Sequence, residues 1–227
     1  MGRFRPATEP YLLPEGLPRP LLRGLLHLGT FVVAIGVGVT LVLVAGWQDA
    51  PAFAVYGLAV AGLFGVSALY HRGRWQPAVR ARLQRIDHSM IFVLIAGTYT
   101  PVCVYVLDGV LGTALLALVW TGALTAVVLE LRPTPVSRGL LVVLSIALGW
   151  LALPAAPAVV EELGWVAAAL IGLGGVLYTL GAVVYARRRP DPLPAVFGFH
   201  EVFHAFTIGG AGLHYAVIAF WVLPLAQ

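Results

Sequence analysis

Ser67-Ala-Leu-Tyr-His71, an arginine-rich linker carrying Arg72, Arg74, Arg80, Arg82 and Arg85, then Asp87-His88 and Ile95-Ala-Gly-Thr-Tyr-Thr-Pro101: the reading of this stretch decides the fold. It joins the end of one apolar run, roughly 52–71, to the start of another, roughly 86–107. A helix that spans a bilayer needs about 20 apolar residues. Runs of that kind recur on both sides, at roughly 24–46, 110–130, 138–154, 163–186 and 199–224. Short polar or Pro/Gly breaks separate the seven: Gln48-Asp49, 72–85, Asp108-Gly109, 131–137, 155–162 and 187–198. The pattern predicts an all-α membrane protein, a bundle of seven transmembrane helices. Residues 1–20 read as a cytoplasmic N-terminal segment and 21–227 as the membrane domain.

Composition points the same way. The chain is 60% hydrophobic and 11% charged, against about 45–50% and about 25% for a soluble globular domain. Residues 1–20 hold Pro6, Pro10, Pro14, Pro18 and Pro20 and no apolar core, so they do not read as a cleaved signal peptide. Cys103 is the only cysteine, which excludes an intrachain disulfide and a thiolate metal site.

The basic residues set orientation. All 14 are arginines, in four segments: Arg3 to Arg23, Arg72 to Arg85, Arg132 and Arg138, and Arg187 to Arg189. These alternate with segments carrying Asp49, Asp108, Glu161 and Glu162 and no arginine. Excess Lys/Arg marks the cytoplasmic side, so the N-terminus is expected inside and the C-terminus outside. The same distribution accounts for the net charge of +4 without a nucleic-acid partner: the arginines flank membrane helices.

Orientation then gathers the polar residues. His71 falls at the cytoplasmic end of the second run, Asp87 and His88 near that end of the third, and His200 and His204 in the first turns of the seventh. His200 and His204 are four apart, one helical face and ~6 Å along the axis. Ser67 and His71 share that spacing. Ionisable residues inside a membrane are costly and mark functional sites. Three histidines plus a water make a four-coordinate zinc site of the catalytic type, although imidazoles also suit iron or nickel. Asp87 is placed to hold the water or orient a ligand. His27 and His214 read as structural groups, His214 lying ~15 Å deeper than His204. His88 points ~100° away from Asp87 on a helix and is not counted as a ligand. His200-Glu201-Val-Phe-His204 also fits H-E-x-x-H, in which the glutamate is a general base. An intramembrane metalloprotease would take a third ligand from an aspartate such as Asp108, which the arginine pattern puts on the opposite side.

Ser67-x-x-x-His71, Asp87-His88, Ala96-Gly-Thr-Tyr-Thr-Pro101, His200-x-x-Phe-His204 and Gly212-Leu-His214 together resemble the hemolysin III family, grouped with the progestin and adiponectin receptors and more distantly with alkaline ceramidases. Arg23-Gly-Leu-Leu-His27 resembles its bacterial members. The resemblance implies seven helices in a bacterial inner membrane and an intramembrane zinc near the cytoplasmic face. His71, His200 and His204 match the zinc ligands, Asp87 the water-holding carboxylate, and Ser67 the serine one turn from the first histidine. The function expected is zinc-assisted hydrolysis of an amide or ester in a membrane lipid, tied to lipid homeostasis. In that reading Asp87 takes the water proton and Ser67 hydrogen-bonds the water or the oxyanion. Its rivals are a receptor-like or cytolytic protein with a structural zinc and, third, the protease. Membrane lipids are the expected substrate or ligand.

Overall fold

The computed structural model describes residues 20–132, 134 and 137–227. The expected N-terminal segment, with Arg3, Arg5 and Arg19, lies outside the described residues but for Pro20. The described residues fold into helices without a strand: α1 Leu25–Arg72, α2 Pro77–Tyr105, α3 Gly109–Leu131, α4 Arg138–Gly149, α5 Ala156–Arg187 and α6 Phe199–Val217. A π turn (Ile218–Val222) and a 3-10 turn (Leu223–Ala226) prolong α6. Among the described residues the only β feature is an isolated bridge between Leu193 and Phe197.

Among the described residues five segments are long and apolar enough to cross a membrane: Leu25–Arg72, Pro77–Tyr105, Gly109–Leu131, Gly139–Arg187 and Phe199–Ala226. The first and fourth run to 48 and 49 residues, more than twice what a ~30 Å hydrocarbon core requires. The length is explained by a backbone break in each. Gly46 has φ 74 and ψ 168, and Gly164 has φ 78 and ψ 168, a region that glycine alone enters at little cost.

At Gly46 the chain folds back on itself. A Cβ on Gly38 would lie 3.3 Å from the Cα of Gly57, one on Gly65 would meet the Phe31 ring at 2.8 Å, and one on Gly24 would meet the His71 Cβ at 2.7 Å. These pairs centre at or within half a residue of the Trp47–Gln48 peptide, as in an antiparallel hairpin. Glycine at 38 and 57 lets the two backbones touch, the small-residue packing favoured where lipid supplies no hydrophobic drive between helices. At the second break, α4 lies against α5: Trp150 Nε1 donates to Thr179 Oγ1 at 2.9 Å, with Gly175 under the indole ring. Both breaks are followed by a tryptophan facing outward, Trp47 at 85% and Trp165 at 78% exposure. Such residues sit at a membrane–water boundary.

Two differences from the sequence reading have local causes. The 72–85 break is helical from Pro77, because proline suits the first position of a helix. Arg80, Arg82 and Arg85 lie on this helical extension, and Arg80 stacks over the Tyr70 ring at 5.0 Å. The 155–162 break is helical too, forming the start of α5 before Gly164.

The helices pack chiefly on their neighbours in sequence, and α6 closes the ring against α1. Leu41, Phe53, Leu107, Leu163 and Val222 fill the core at the Gly46 end. Ala34, Leu63, Phe64, Leu94 and Ala211 pack beneath the histidines. Valines and leucines such as Val32, Leu43, Val128 and Val166 face outward, as they do when the surrounding solvent is lipid. The protein is a multi-pass membrane protein. The Gly46 end is tied by Tyr105, whose hydroxyl donates to Asp49 Oδ1 at 3.0 Å, and by Gln227, whose amide donates to the Val44 carbonyl at 3.0 Å. The polar site lies at the opposite end.

Candidate metal centre

His71 sits in the last turn of α1, and His200 and His204 occupy the first two turns of α6. Their candidate ligand atoms all lie within 4.8 Å of one another. His71 Nε2 and His200 Nε2 are 3.0 Å apart. The three rings meet edge to face, with centroids 4.6, 5.2 and 4.5 Å apart. His71 and His204 are buried and His200 partly so.

The donor set fits a metal ion. Imidazole nitrogens about 2.0–2.1 Å from a tetrahedral metal stand ~3.4 Å from each other, inside the range found here. Two imidazole nitrogens facing each other at 3.0 Å share one proton at most. A cation accepts a lone pair from each ring.

Neighbouring groups fix these rings. His27 stacks on His204 with centroids 3.6 Å apart and planes 12° from parallel, and meets Phe64 edge-on. Gly24, at φ 75, lies directly on His71, and a side chain there would be strained by conformation and blocked by contact. The lead-in to α1 is itself anchored: Leu21 and Leu22 donate their amides to the Ala195 and Val196 carbonyls at 3.0 and 3.1 Å.

The glutamate of H-E-x-x-H is part of the same anchor. Glu201 is fully buried, with Oε1 2.7 Å from Arg23 Nε. Its Oε2 accepts the Gly198 amide at 2.9 Å, a cap on the start of α6. Burial presses the Arg23 pKa down and the facing Glu201 opposes that shift. With both oxygens engaged, Glu201 is an anchor rather than a base. Asp108 precedes α3 at the far end of α2, ~30 Å along the axis from Asp87. The protease reading thus finds neither its base nor its third ligand at the cluster.

Asp87 borders the cluster without joining it. Its Oδ2 is 3.8 Å from His71 Nε2, too long for a hydrogen bond, and its side chain is 14% exposed. Ser67, buried one turn before His71, stands beside the Asp87 carboxylate. His214 is engaged elsewhere, with Nε2 3.0 Å from the Ile171 carbonyl. His88 turns to Glu130 on α3. Sequence reasoning missed the pairing of Arg23 with Glu201: nothing in the sequence connects them across nearly the whole chain.

The site opens on a cavity of about 140 Å³ lined by Ser67, Asp87, His88, His200 and His204 at one end and by Leu63, Ile95 and Val142 further on. A second cavity, of about 230 Å³, shares Tyr99, Trp150 and His214 with it and reaches Leu107 and Leu153 towards the other end of the bundle. Its walls are overwhelmingly apolar. Together they reach the lower end of the ~300–1,000 Å³ range of small-molecule sites.

Comparison with known proteins gives a consistent result. Residues 16–215 match a family model described as Haemolysin-III related. Hemolysin-3 of Bacillus cereus is 34% identical over 176 residues, covering 78% of this chain and 77% of that protein. The Hemolysin-3 homolog of Bacillus subtilis (strain 168) is 31% identical over 177 residues, 78% of this chain and 80% of that one.

Proposed function

The chain belongs to the hemolysin III family, and on that premise we propose that it is a zinc-dependent hydrolase of an amide or ester bond in a membrane lipid. It would act in the bacterial inner membrane and serve lipid homeostasis. One observation carries the reading: three convergent histidines and a carboxylate stand together at the end of an apolar cavity within the bundle. A lipid presents that combination, an apolar chain ending in a polar bond.

The proposal includes seven crossings, with the N-terminus cytoplasmic. The hairpin at Gly46 and the break at Gly164 support the number, since each divides an over-long apolar segment. The alternation of arginine with acidic residues supports the orientation.

His71, His200 and His204 would hold the ion. Bound there, zinc supplies Lewis acidity, making a water acidic and polarising a carbonyl. Asp87 accepts the proton of the attacking water. Ser67, beside the Asp87 carboxylate, hydrogen-bonds the water or the oxyanion. The Arg23–Glu201 ion pair and the stacked His27 hold the α6 histidines in register. The apolar cavity takes the acyl chain and limits water at the reacting bond.

The names of the two Bacillus relatives favour a second, cytolytic reading. Against it, the charged groups lining the cavities cluster at one end, and the remaining wall is apolar. That is a poor path for ions. Purified protein should contain one zinc per chain and release fatty acid from short-chain ceramide, phospholipid or acyl ester, followed by mass spectrometry. Zinc without turnover of any of the three classes would shift the assignment to a receptor-like or cytolytic protein with a structural metal.

A further inference from the structure

The space beside the histidines continues past the end of the first cavity. Thr98 and Tyr99 of α2, Gly149 and Trp150 at the end of α4, Gly175 of α5 and His214 of α6 line both cavities. They form a neck between the two. The larger volume, about 230 Å³ against about 140 Å³, lies beyond this neck, walled by residues such as Val102, Leu115, Val159 and Ile218.

The neck residues turn their polar atoms into the protein. The Tyr99 hydroxyl donates to the Gly149 carbonyl and accepts the Ala152 amide, both at 2.9 Å. Thr98 Oγ1 donates to the Leu94 carbonyl at 2.8 Å. Trp150 Nε1 donates to Thr179, and His214 Nε2 is held by the Ile171 carbonyl while its Nδ1 has no exposed surface. A ligand passing the neck therefore meets carbon. That suits a methylene chain and penalises a hydroxyl or a charge, which would give up water without a replacement partner.

Length follows from α2, which runs beside both cavities. Tyr99 lies ~18 Å along the axis from Asp87, and Leu107, just past the helix, ~12 Å further. An extended chain advances ~1.2 Å per bond, so roughly 14 carbons reach the neck and about ten more fit beyond it. Gly175 governs the width. A Cβ on it would stand 3.3 and 3.4 Å from atoms of the Trp150 ring, so a larger side chain there displaces the indole. We infer that the second cavity receives the far end of a long, unbranched acyl chain, and that Trp150 and Gly175 are the residues that determine its admission. The inference rests on the reading that an acyl lipid enters the first cavity, and adds to it the length of the chain.

Two variants test this. Gly175→Leu crowds the neck. Gly172→Leu is the milder change: Gly172 lines the second cavity, and a Cβ on it meets nothing within 4 Å. Wild type, G172L and G175L, as the full chain purified in detergent, are titrated calorimetrically with octanoic, lauric, palmitic and stearic acids. Wild-type affinity should rise through the whole series, by up to roughly fourfold per added methylene, the worth of burying one. G172L should match wild type on octanoic and lauric acids and lose roughly tenfold or more on stearic acid. G175L should lose palmitic and stearic acids alike; if it does not fold, G172L decides alone. A wild-type affinity that stops rising at lauric acid, or a G172L that binds stearic acid as wild type does, overturns the inference. Turnover of the matching acyl lipids separates it from the hydrolase reading. Length-dependent binding without hydrolysis overturns that reading and leaves the acyl site standing; hydrolysis without length dependence does the reverse.

Discussion

The two ends of the bundle are built on different principles. At the histidine end, polar side chains from different helices meet: Arg23 with Glu201, His88 with Glu130, and the three histidines together. At the other end the chain turns at Gly46 and Gly164, each followed by an outward tryptophan, around an apolar core. The lesson is that this fold can form its turns cheaply, from backbone conformation alone, and concentrates its energetically risky groups at one depth. Damage at the two ends should therefore differ in kind.

The largest effect is expected at Asp87. Asp87→Asn keeps the shape but not the base, and loss of a general base costs roughly 100- to 10,000-fold in rate. Reloaded to equal zinc, the variant should stay folded and lose most lipid turnover; equal hydrolysis by mass spectrometry would remove Asp87 from the reaction.

Next comes the anchor. Glu201→Ala leaves the Arg23 guanidinium buried and without its carboxylate, and breaking a buried pair typically costs about 3–5 kcal/mol. A double variant, R23M/E201L, should recover much of that loss in thermal unfolding. If E201A melts like wild type, the ion pair is not holding α6 to the start of α1.

Metal content tests the cluster itself. His204→Ala should lower both bound zinc and the melting temperature, because an ion bound only to the folded state stabilises it by mass action. His214→Ala, deeper and bonded to the Ile171 carbonyl, should leave zinc unchanged. Loss of zinc in H214A with retention in H204A would reassign the ligands.

The glycines offer the sharpest contrast between the ends. Gly24 and Gly46 have nearly the same φ, 75 and 74, and a side chain at either position is strained, by roughly 1–3 kcal/mol. Only at Gly24 would the added carbon also strike His71. Both G24A and G46A should lose stability to backbone strain, G46A the more because its ψ of 168 lies in an essentially glycine-only region, but G24A alone should weaken zinc affinity. Equal zinc affinity in the two would mean that the lead-in does not position His71.

The smallest perturbation concerns topology. Single cysteines at Asp49 or Glu161 should react with a membrane-impermeant maleimide in intact cells, and those at Arg74 or Arg188 should not. Labelling at Arg188 would reverse the ends.

The sequence made some of this legible for physical reasons. Lipid demands long apolar runs, so helices announce themselves. Histidines inside those runs stand out, and the four-residue spacing of His200 and His204 shows their shared face without coordinates. What could not be read depends on side chains meeting across the bundle. Glu201 looks like a catalytic base in its own helix and becomes an anchor only when Arg23 is beside it. Glu130 carries no local motif, and only the fold brings His88 of α2 against it. Gly24 looks like an ordinary breaker until His71 is found against it. The extra helical turns from Pro77 escaped notice because charge density, not helix propensity, sets the boundary of an apolar run.

The pairing of Arg23 with Glu201 also constrains how the protein is made. Chain growth at about 5–20 residues per second separates the two residues by roughly ten to forty seconds on the ribosome. Until the last helix arrives, Arg23 lacks Glu201, His27 lacks His204, and His71 lacks the two histidines of α6. With all of them at the cytoplasmic face, as proposed above, water can solvate them during the wait. Gathering the polar groups at that face thus spares the half-inserted chain from carrying unpaired charge through lipid, and leaves closure of the metal site as the last act of assembly.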